Sequence, residues 1–440
     1  MVPLGDLPFK GEEMIEQFCT DGEPNWLNKE RRKAFEVYES TAEPTNRDER
    51  WRYTQLERFD FQGCRPLGKP VSGSLRPHIR QRISDSDADA VLVHNGGEVV
   101  FQKLSSLKEG VIFKDLRSAV LEHSDLVEQH LGKVLGPLNG KYVSLNTAFW
   151  SGGTFVYVPK NVELEVPVGT FTTAETGGFG AGRNVIVVDA NSKLTYLDEY
   201  TSGTFDDRLF HSSVTEIVLM EGAQLRYVSL QDWGRNVAHM NHIRAHLARN
   251  SRLESLTVSL GADAARDEVE ACLEGPGAES EMLGLYFADR GQHFNQYTLQ
   301  HHLSEHAKSD LLFKGALRDA STAVYSGVID VAEEAQQTNA YQTNRNLLLD
   351  HQSEAVSIPQ LEIAANDVKC SHGSTTGPVP EDQRFYLMSR GLSPEVAEHV
   401  LVTGFLHEIM SRVTLPCVAS YVEHMVQQKL GVPGVHERPI

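Results

Sequence analysis

Two stretches of similar sequence decide the fold of this 440-residue chain: NSKLTY at residues 191–196 and GAQLRY at residues 222–227. In both, a small residue follows a polar turn and precedes a leucine and a tyrosine at the alternating spacing of a β-strand. Similar small residues recur along the chain, at Ser192, Ala223, Ser251, Ala278, Ala307 and Ala335. Their separations are 31, 28, 27, 29 and 28 residues. A period this constant predicts a stack of repeating units.

Each repeating unit reads as strand, turn, strand. Short β-branched runs, such as TFVYV at 154–158, VIVV at 185–188 and TEIVL at 215–219, are separated by turns of Gly, Asn, Asp and Ser. One coil of strands cannot bury its inward side chains alone, whereas stacked coils share a continuous core. The sequence therefore predicts a mainly β protein with a parallel, right-handed β-helix over residues 141–380. An antiparallel sandwich with similar strand spacing is the alternative.

Helical regions are predicted on both sides of this core. Residues 1–140 read as a mixed, mainly helical region, and residues 381–440 as a helical domain. In the latter, Ser393 is a candidate N-cap and Pro394 occupies the first helical position. A stripe of apolar residues at three- and four-residue spacing follows, at Val396, Val400, Leu401, Phe405, Ile409 and Val413. Such a stripe either packs on its own domain or docks a partner.

The composition excludes several classes of protein. Asp and Glu number 60 against 41 Lys and Arg, a formal charge of −19, which argues against nucleic-acid binding. No apolar run approaches the roughly 18 residues of a membrane-spanning helix. Residues 1–13 have no apolar core, so we do not expect a secretory signal there. Five scattered cysteines without a CxxC pair favour a reducing cytoplasm over a disulfide framework.

Two conspicuous patterns do not fit the sites that they resemble. The run GGFGAGRN at 177–184 has Arg183 and Asn184 where a phosphate-binding loop requires Lys and Ser or Thr, so we predict a flexible glycine loop. Seven of the 18 histidines lie between residues 239 and 306, but HMNHIRAH at 239–246 is not the HExxH of zinc proteases. We expect hydrogen-bonded or solvated histidines on a solenoid face, although stacked coils could bring some of them together.

The local pattern that best fits a metal or sulfur site is DVKCSHG at 367–373. In an extended strand Cys370 and His372 point to one side, with Cβ atoms about 6–7 Å apart. A thiolate and an imidazole at this separation could bind one metal or one edge of a cluster. Two ligands do not close a site, so the others would come from another coil or another chain. An inert buried thiol beside a hydrogen-bonded histidine is the alternative.

Four segments occur together in a characteristic order: NRNLLL at 344–349, PQLEI at 359–363, DVKCSHG at 367–373 and FYLMSRG at 385–391. This set resembles the SufB/SufD core family of the SUF iron–sulfur cluster assembly system. The upstream ERWRYT at 49–54 is similar to the N-terminal region of the SufD branch.

Two departures from the SufB pattern make the chain most similar to SufD. The stretch LLLDH at 347–351 has no cysteine, and KCSHG at 369–373 has no glutamate. The resemblance implies a non-enzymatic scaffold subunit in a SufB–SufC–SufD complex, with no permanently bound cofactor and a transient iron–sulfur cluster at the SufB–SufD junction. On this reading Cys370 and His372 are candidate transient iron, cluster or sulfur ligands.

The resemblance also implies two interfaces. A SufB-type subunit would join through the β-helix, and the isolated chain could form a homodimer. A SufC-type ATPase would dock on the C-terminal helices, with candidate contacts at Phe385, Tyr386, Arg390, Val400, Phe405 and Ile409. A structural adaptor that recruits the ATPase without any metal or sulfur role is the alternative function. A secreted β-helix polysaccharide lyase fits poorly, because no secretory signal is expected.

Overall fold

The structure, a computed structural model, describes residues 15–431 except 17, 20, 21, 62, 68–74, 105, 106 and 414. Its strands form two sheets of ten and nine strands that face each other as a parallel β-solenoid of about eight turns. The predicted mainly β solenoid is confirmed. The antiparallel sandwich is wrong, because from β4 to β19 every ladder between coils is parallel.

The ten-stranded sheet contains β1 (Ala90–Asn95), β2 (Glu98–Lys103), β5 (Val168–Ala174), β7 (Lys193–Ser202), β9 (Gln224–Asp232), β11 (Arg252–Ser259), β13 (Glu279–Ala288), β15 (Lys308–Leu317), β17 (Asn339–Leu348) and β19 (Lys369–Pro378). The nine-stranded sheet contains β3 (Ile112–Asp115), β4 (Thr154–Val158), β6 (Gly178–Val188), β8 (Leu209–Leu219), β10 (Val237–Leu247), β12 (Ala264–Leu273), β14 (His293–His302), β16 (Thr322–Val331) and β18 (Glu354–Ile363). The described helices are α1 (Asn25–Ser40), α2 (Pro77–Asp85), α3 (Leu116–Glu122), α4 (Ser124–His130), α5 (Lys141–Phe149), α6 (Glu381–Ser389), α7 (Pro394–Met410) and α8 (Pro416–Lys429).

The two stretches that open the repeat are stacked on each other. Register pairs Leu194 with Leu225 and Tyr196 with Tyr227, whose rings lie parallel with centroids 6.1 Å apart. The small residues from Ser192 to Ala307 recur because each is fully buried at the corner where the chain turns from one sheet to the other. The residue before each corner takes a left-handed conformation, as Asn191 (φ 56°) shows.

One member of the predicted repeat is wrong. The N–H of Asn339 bonds to the carbonyl of Ala307, and the N–H of Lys369 bonds to that of Thr338. Thr338, not Ala335, therefore stands in register above Ala307. The turn before β17 is longer than the turns before β7, β9, β11, β13 and β15, and Ala335 is buried within it.

The glycine-rich run is strand rather than flexible loop, so that prediction is wrong. Residues 178–188 form β6, and most of them are buried. A Cβ on Gly177 would lie 2.4 Å from the Cβ of Asp207, so glycine is needed there for close approach between coils. The arginine that excluded a phosphate loop, Arg183, is buried in an ion pair with Glu216.

The C-terminal helices pack on the outer face of the ten-stranded sheet. The Ser393 side chain accepts from the N–H of Val396, which confirms the predicted cap of α7. The buried face of α7 is Ala397, Val402, Leu406, Ile409 and Met410, and it meets leucines of the sheet. The predicted stripe is thus partly wrong: Val396 and Val400 face solvent. Within the described residues, no helix is long and apolar enough to cross a membrane.

The buried pair of Arg183 and Glu216 gives a stability prediction. Both side chains are fully buried, and Glu216 also accepts from the backbone N–H groups of Gly132, Val134 and Leu135. We expect Glu216→Ala to lower the free energy of unfolding by about 3–5 kcal/mol, because it leaves a buried charge without its partner. Urea unfolding followed by circular dichroism measures this.

The matched control is Glu163→Ala, which removes an exposed ion pair with Lys193. Its cost should be at most about 1 kcal/mol. Equal effects of the two substitutions would contradict the expectation that loss of the buried partner is the more costly.

Candidate functional site

The last coil of the solenoid is open on its outer side. Its two strands, β18 and β19, stand at the ends of their sheets, and within the described residues each forms a ladder with one strand only. A hydrogen bond of 2.7 Å from the Ser374 hydroxyl to the Ser357 hydroxyl links the two strands across the coil. Each strand therefore has one edge whose backbone groups are available to another chain.

Cys370 and His372 lie side by side on this open coil. In register they follow Ala340 and Gln342 of β17, which are 1% and 0% exposed and so point into the solenoid. Cys370 and His372 consequently belong to the inward row of the last coil, where no further coil covers them. His372 is exposed and Cys370 is partly buried. The structure thus places the two predicted residues on the same side of an edge strand.

Opposite them, β18 contributes residues that the sequence analysis missed. Register places Ser357, Leu361 and Ile363 after Tyr325, Ile329 and Val331, all three of which are buried. Leu361 and Ile363 are 36% and 40% exposed although they occupy inward positions. The strand register is the only signal for this row, and the sequence does not display it. We call the six residues Cys370, His372, Ser374, Ser357, Leu361 and Ile363 the open-end surface.

The Cys370 thiol is protonated at neutral pH. Its sulfur packs against a small apolar cluster that includes Ile329 and Ala340. Burial raises the pKa of the Cys370 thiol above its usual value, and a hydrogen bond with the backbone of Ala340 only partly offsets this. Since the thiolate is the form that binds metal or accepts sulfur, an additional positive charge is needed to release the proton.

The described residues of this chain do not complete a metal site by themselves. No group of three or more His, Cys, Asp or Glu side chains in the described part of the chain is arranged to hold a metal ion. A metal site at Cys370 and His372 would therefore need ligands from elsewhere. An open coil with two unpaired edges is a position at which a second chain could provide them.

The central histidines divide between the interior and the outer face. His239 lies inside the solenoid against His211, with the two Nδ1 atoms 3.3 Å apart. Burial lowers the pKa of His211 to about 3 and that of His239 well below its usual value, so both rings are neutral. His302 is also inside, 2.8 Å from the Ser309 hydroxyl.

The other histidines of this stretch have separate partners. The outward-facing pairs are His242 with Glu268, His246 with Glu274 and His301 with Asp330, while His293 contacts Thr322 and His306 lies beside Glu305. The structure therefore does not bring the seven histidines together into one cluster, and each has surroundings of its own.

Four of the six candidate docking residues are exposed, two on α6, one directly after it and one on α7. Phe385 is 74% exposed and Tyr386 56%, with the Arg390 guanidinium 5.1 Å from the Tyr386 ring. Val400 is 43% exposed. We call these four residues the α6–α7 patch.

Two further candidate residues lie outside this patch. Phe405 is partly buried under Lys314, whose ammonium lies 4.6 Å from the ring. Ile409 is fully buried against the solenoid, so its side chain cannot contact a partner. Its place in the predicted stripe is explained by packing within this chain.

Comparison with known proteins identifies matches along most of the chain. The SUF system FeS cluster assembly SufBD core domain matches residues 171–405, and the SufBD protein N-terminal region matches residues 12–169. The iron-sulfur cluster assembly protein SufB of Bacillus subtilis is 30% identical over 312 residues, covering 70% of this chain and 67% of that protein.

Two staphylococcal relatives match over a longer stretch. An iron-sulfur cluster assembly SufBD family protein of Staphylococcus saprophyticus is 30% identical over 401 residues, covering 87% of this chain and 85% of its own. A SufBD family protein of Staphylococcus epidermidis is 28% identical over the same length and coverage.

The protonated thiol gives a prediction for Cys370 reactivity. In the folded chain, iodoacetamide should alkylate Cys370 more slowly at pH 8 than in the urea-unfolded chain, and the rate should still rise above pH 9. The reason is that a raised pKa leaves less thiolate at a given pH. Peptide mass spectrometry measures the rate for this cysteine alone.

Cys272 provides the internal comparison. Burial raises its pKa to about 12, so it should stay unlabelled in the folded chain throughout this range. Matching pH profiles for Cys370 in the folded and unfolded chains would show that its surroundings do not hold the proton.

Proposed function

Because this chain belongs to the SufBD family of the SUF iron–sulfur cluster assembly system, we propose that it is the SufD-type, non-enzymatic scaffold subunit of a SufB–SufC–SufD complex. The observation that carries the proposal is the pair Cys370 and His372 on the inward row of an uncapped coil. In this position both ligands face a second chain rather than their own core.

The open-end surface supports a SufB-type subunit as that second chain. A partner strand can extend either sheet by pairing with the free edge of β18 or β19. The exposed Leu361 and Ile363 then lose contact with water, which favours association. The partner's residues would complete a cluster site at the junction. In the absence of the partner, the same edges could pair with a second copy of this chain.

The two ligands have complementary chemistry for a transient cluster. Iron is the cargo here, and no resident cofactor is proposed. Binding of a metal ion beside Cys370 would favour loss of the thiol proton, and the thiolate could then act as iron ligand or sulfur acceptor. The exposed imidazole of His372 would bind iron through a neutral ring nitrogen. A site of few ligands shared by two chains suits a cluster that is built and then released.

The SufD assignment rests on what this chain lacks. The stretch 347–351 has no cysteine, and Lys369–Gly373 has no glutamate, so the additional ligands would come from the partner. All five cysteines are free, in keeping with the proposed cytoplasmic location.

The α6–α7 patch supports docking of a SufC-type ATPase. Helix α6 has no buried residue, so its side chains are accessible to a partner. An exposed aromatic pair with a neighbouring arginine has the composition of a protein interface. Helix α7 also connects this patch to the solenoid, since Glu408 pairs with Lys314 of β15 and Arg345 of β17.

A structural adaptor without metal or sulfur chemistry is the second candidate function. The raised pKa of the Cys370 thiol favours it, because a protonated thiol is a poor ligand. Under this alternative the open-end surface serves only to hold the partner subunit.

Cluster yield separates the two functions. We expect the double substitution Cys370→Ala/His372→Ala to lower the iron and sulfide content of the anaerobically co-purified complex at least about tenfold. The reason is that the partner's ligands alone cannot complete the site. Ser371→Ala is the matched control, since Ser371 alternates to the opposite face of β19. An adaptor would keep its cluster content in the double variant while the complex still assembled.

The docking proposal is tested by charge on the α6–α7 patch. We expect Tyr386→Asp/Val400→Asp to abolish co-purification of the SufC-type ATPase, because burying unpaired carboxylates is costly. Retention of the SufB-type subunit shows that the variant is folded. The control is Leu138→Asp, which changes an 84% exposed leucine that is distant in sequence from the patch. This variant should leave both partners bound. Normal ATPase recovery with the patch variant would place the docking site elsewhere.

A further inference from the structure

Gln342 is a buried amide without a partner, one coil beneath His372. The residue is 0% exposed, and neither its Nε2 nor its Oε1 has a hydrogen-bond partner. Register pairs Gln342 of β17 with His372 of β19. Side chains of one inward row on neighbouring coils stand about 4.8 Å apart, within reach of a flexible glutamine.

Space for this amide is provided by a glycine across the solenoid. A Cβ on Gly327 would lie 2.3 Å from Gln342 Nε2 and 2.4 Å from the Tyr325 hydroxyl, so only glycine leaves room there. The Tyr325 hydroxyl is already bonded to that of Thr298 at 2.9 Å. The amide therefore occupies a polar but unsatisfied position in an otherwise close-packed interior.

A buried amide left without any partner costs stability, so its retention calls for a function or a missing partner. A histidine that binds metal through one ring nitrogen usually donates its other N–H to an oxygen acceptor, which fixes the ring's tautomer and orientation. Gln342 Oε1 is an unpaired acceptor in the same inward row as His372.

From this geometry we propose that Gln342 is a positioning residue for His372. Its Oε1 accepts the N–H of one ring nitrogen and leaves the other nitrogen directed out of the open coil towards the second chain. The inference rests on the proposed function, since His372 is a metal ligand only if that function holds. The Gln342 amide makes no hydrogen bond to His372 in the structure, so the proposed contact requires rotation of the glutamine side chain.

The proposal is tested first on the complex with the SufB-type subunit, with Co²⁺ as the probe. Gln342→Met keeps the shape of the side chain but removes the acceptor, and should weaken Co²⁺ binding at least about tenfold. Gln342→Glu keeps an acceptor oxygen and should retain the binding. Thr343→Val is the control, because Thr343 is also buried with an unpartnered hydroxyl but lies on the opposite face of β17. Unchanged affinity in Gln342→Met would overturn the proposal.

A second measurement does not depend on metal. The ring ¹⁵N shifts of His372 in the full chain alone should report one dominant tautomer in the wild type and a mixture in Gln342→Met. Identical tautomer populations in the two would overturn the proposal. If His372→Ala left Co²⁺ affinity unchanged while the tautomer effect was present, the proposed function would fail and the positioning contact would stand.

Discussion

The parallel hydrogen-bond ladder between successive coils is the constraint on which this structure depends. It aligns each residue with its equivalent one coil away, so inward rows continue from coil to coil. Each row is buried only because another coil follows it. The last coil has no successor among the described residues, so its inward row, with Cys370 and His372, is exposed by construction. A binding surface at this end would require no special loop, because inward-facing residues that a further coil would bury are already exposed there.

The interior of the solenoid is unusually polar, and its polar groups differ along its length. Asp198 of β7 accepts hydrogen bonds from Tyr200 on the same strand and from Asn184 and Tyr227 on β6 and β9. Burial raises its pKa to about 6. Such networks specify register, since a shifted coil would leave several groups unpaired. Near the open end, by contrast, the amide of Gln342 has no hydrogen-bond partner at all.

The sequence predicted the solenoid because the corner residues are conspicuous: each coil needs a small buried residue after a left-handed turn, as at Asn191 and Ser192. The prediction was wrong at Ala335, because a longer turn buries this alanine ahead of the corner residue Thr338. It was also wrong over residues 177–184, where glycines allow close packing rather than flexibility. Cys370 and His372 were found because strand alternation places them together. The row on β18 and the partner of each histidine depend on register between distant strands, which local patterns do not contain.

The two proposed interfaces are joined by charged contacts rather than by a flexible hinge. Glu408 of α7 forms ion pairs with the buried Lys314 and with Arg345. Arg345 is on β17, the strand that pairs with β19. Lys314 in addition donates to the backbone of Phe405 at 2.7 Å. A shift of α7 therefore has to break these contacts or displace β15 and β17 with it. Since β17 forms the only described ladder with β19, a displacement of this kind reaches Cys370 and His372 through backbone hydrogen bonds, which connect the helix that carries part of the proposed docking patch to the open coil.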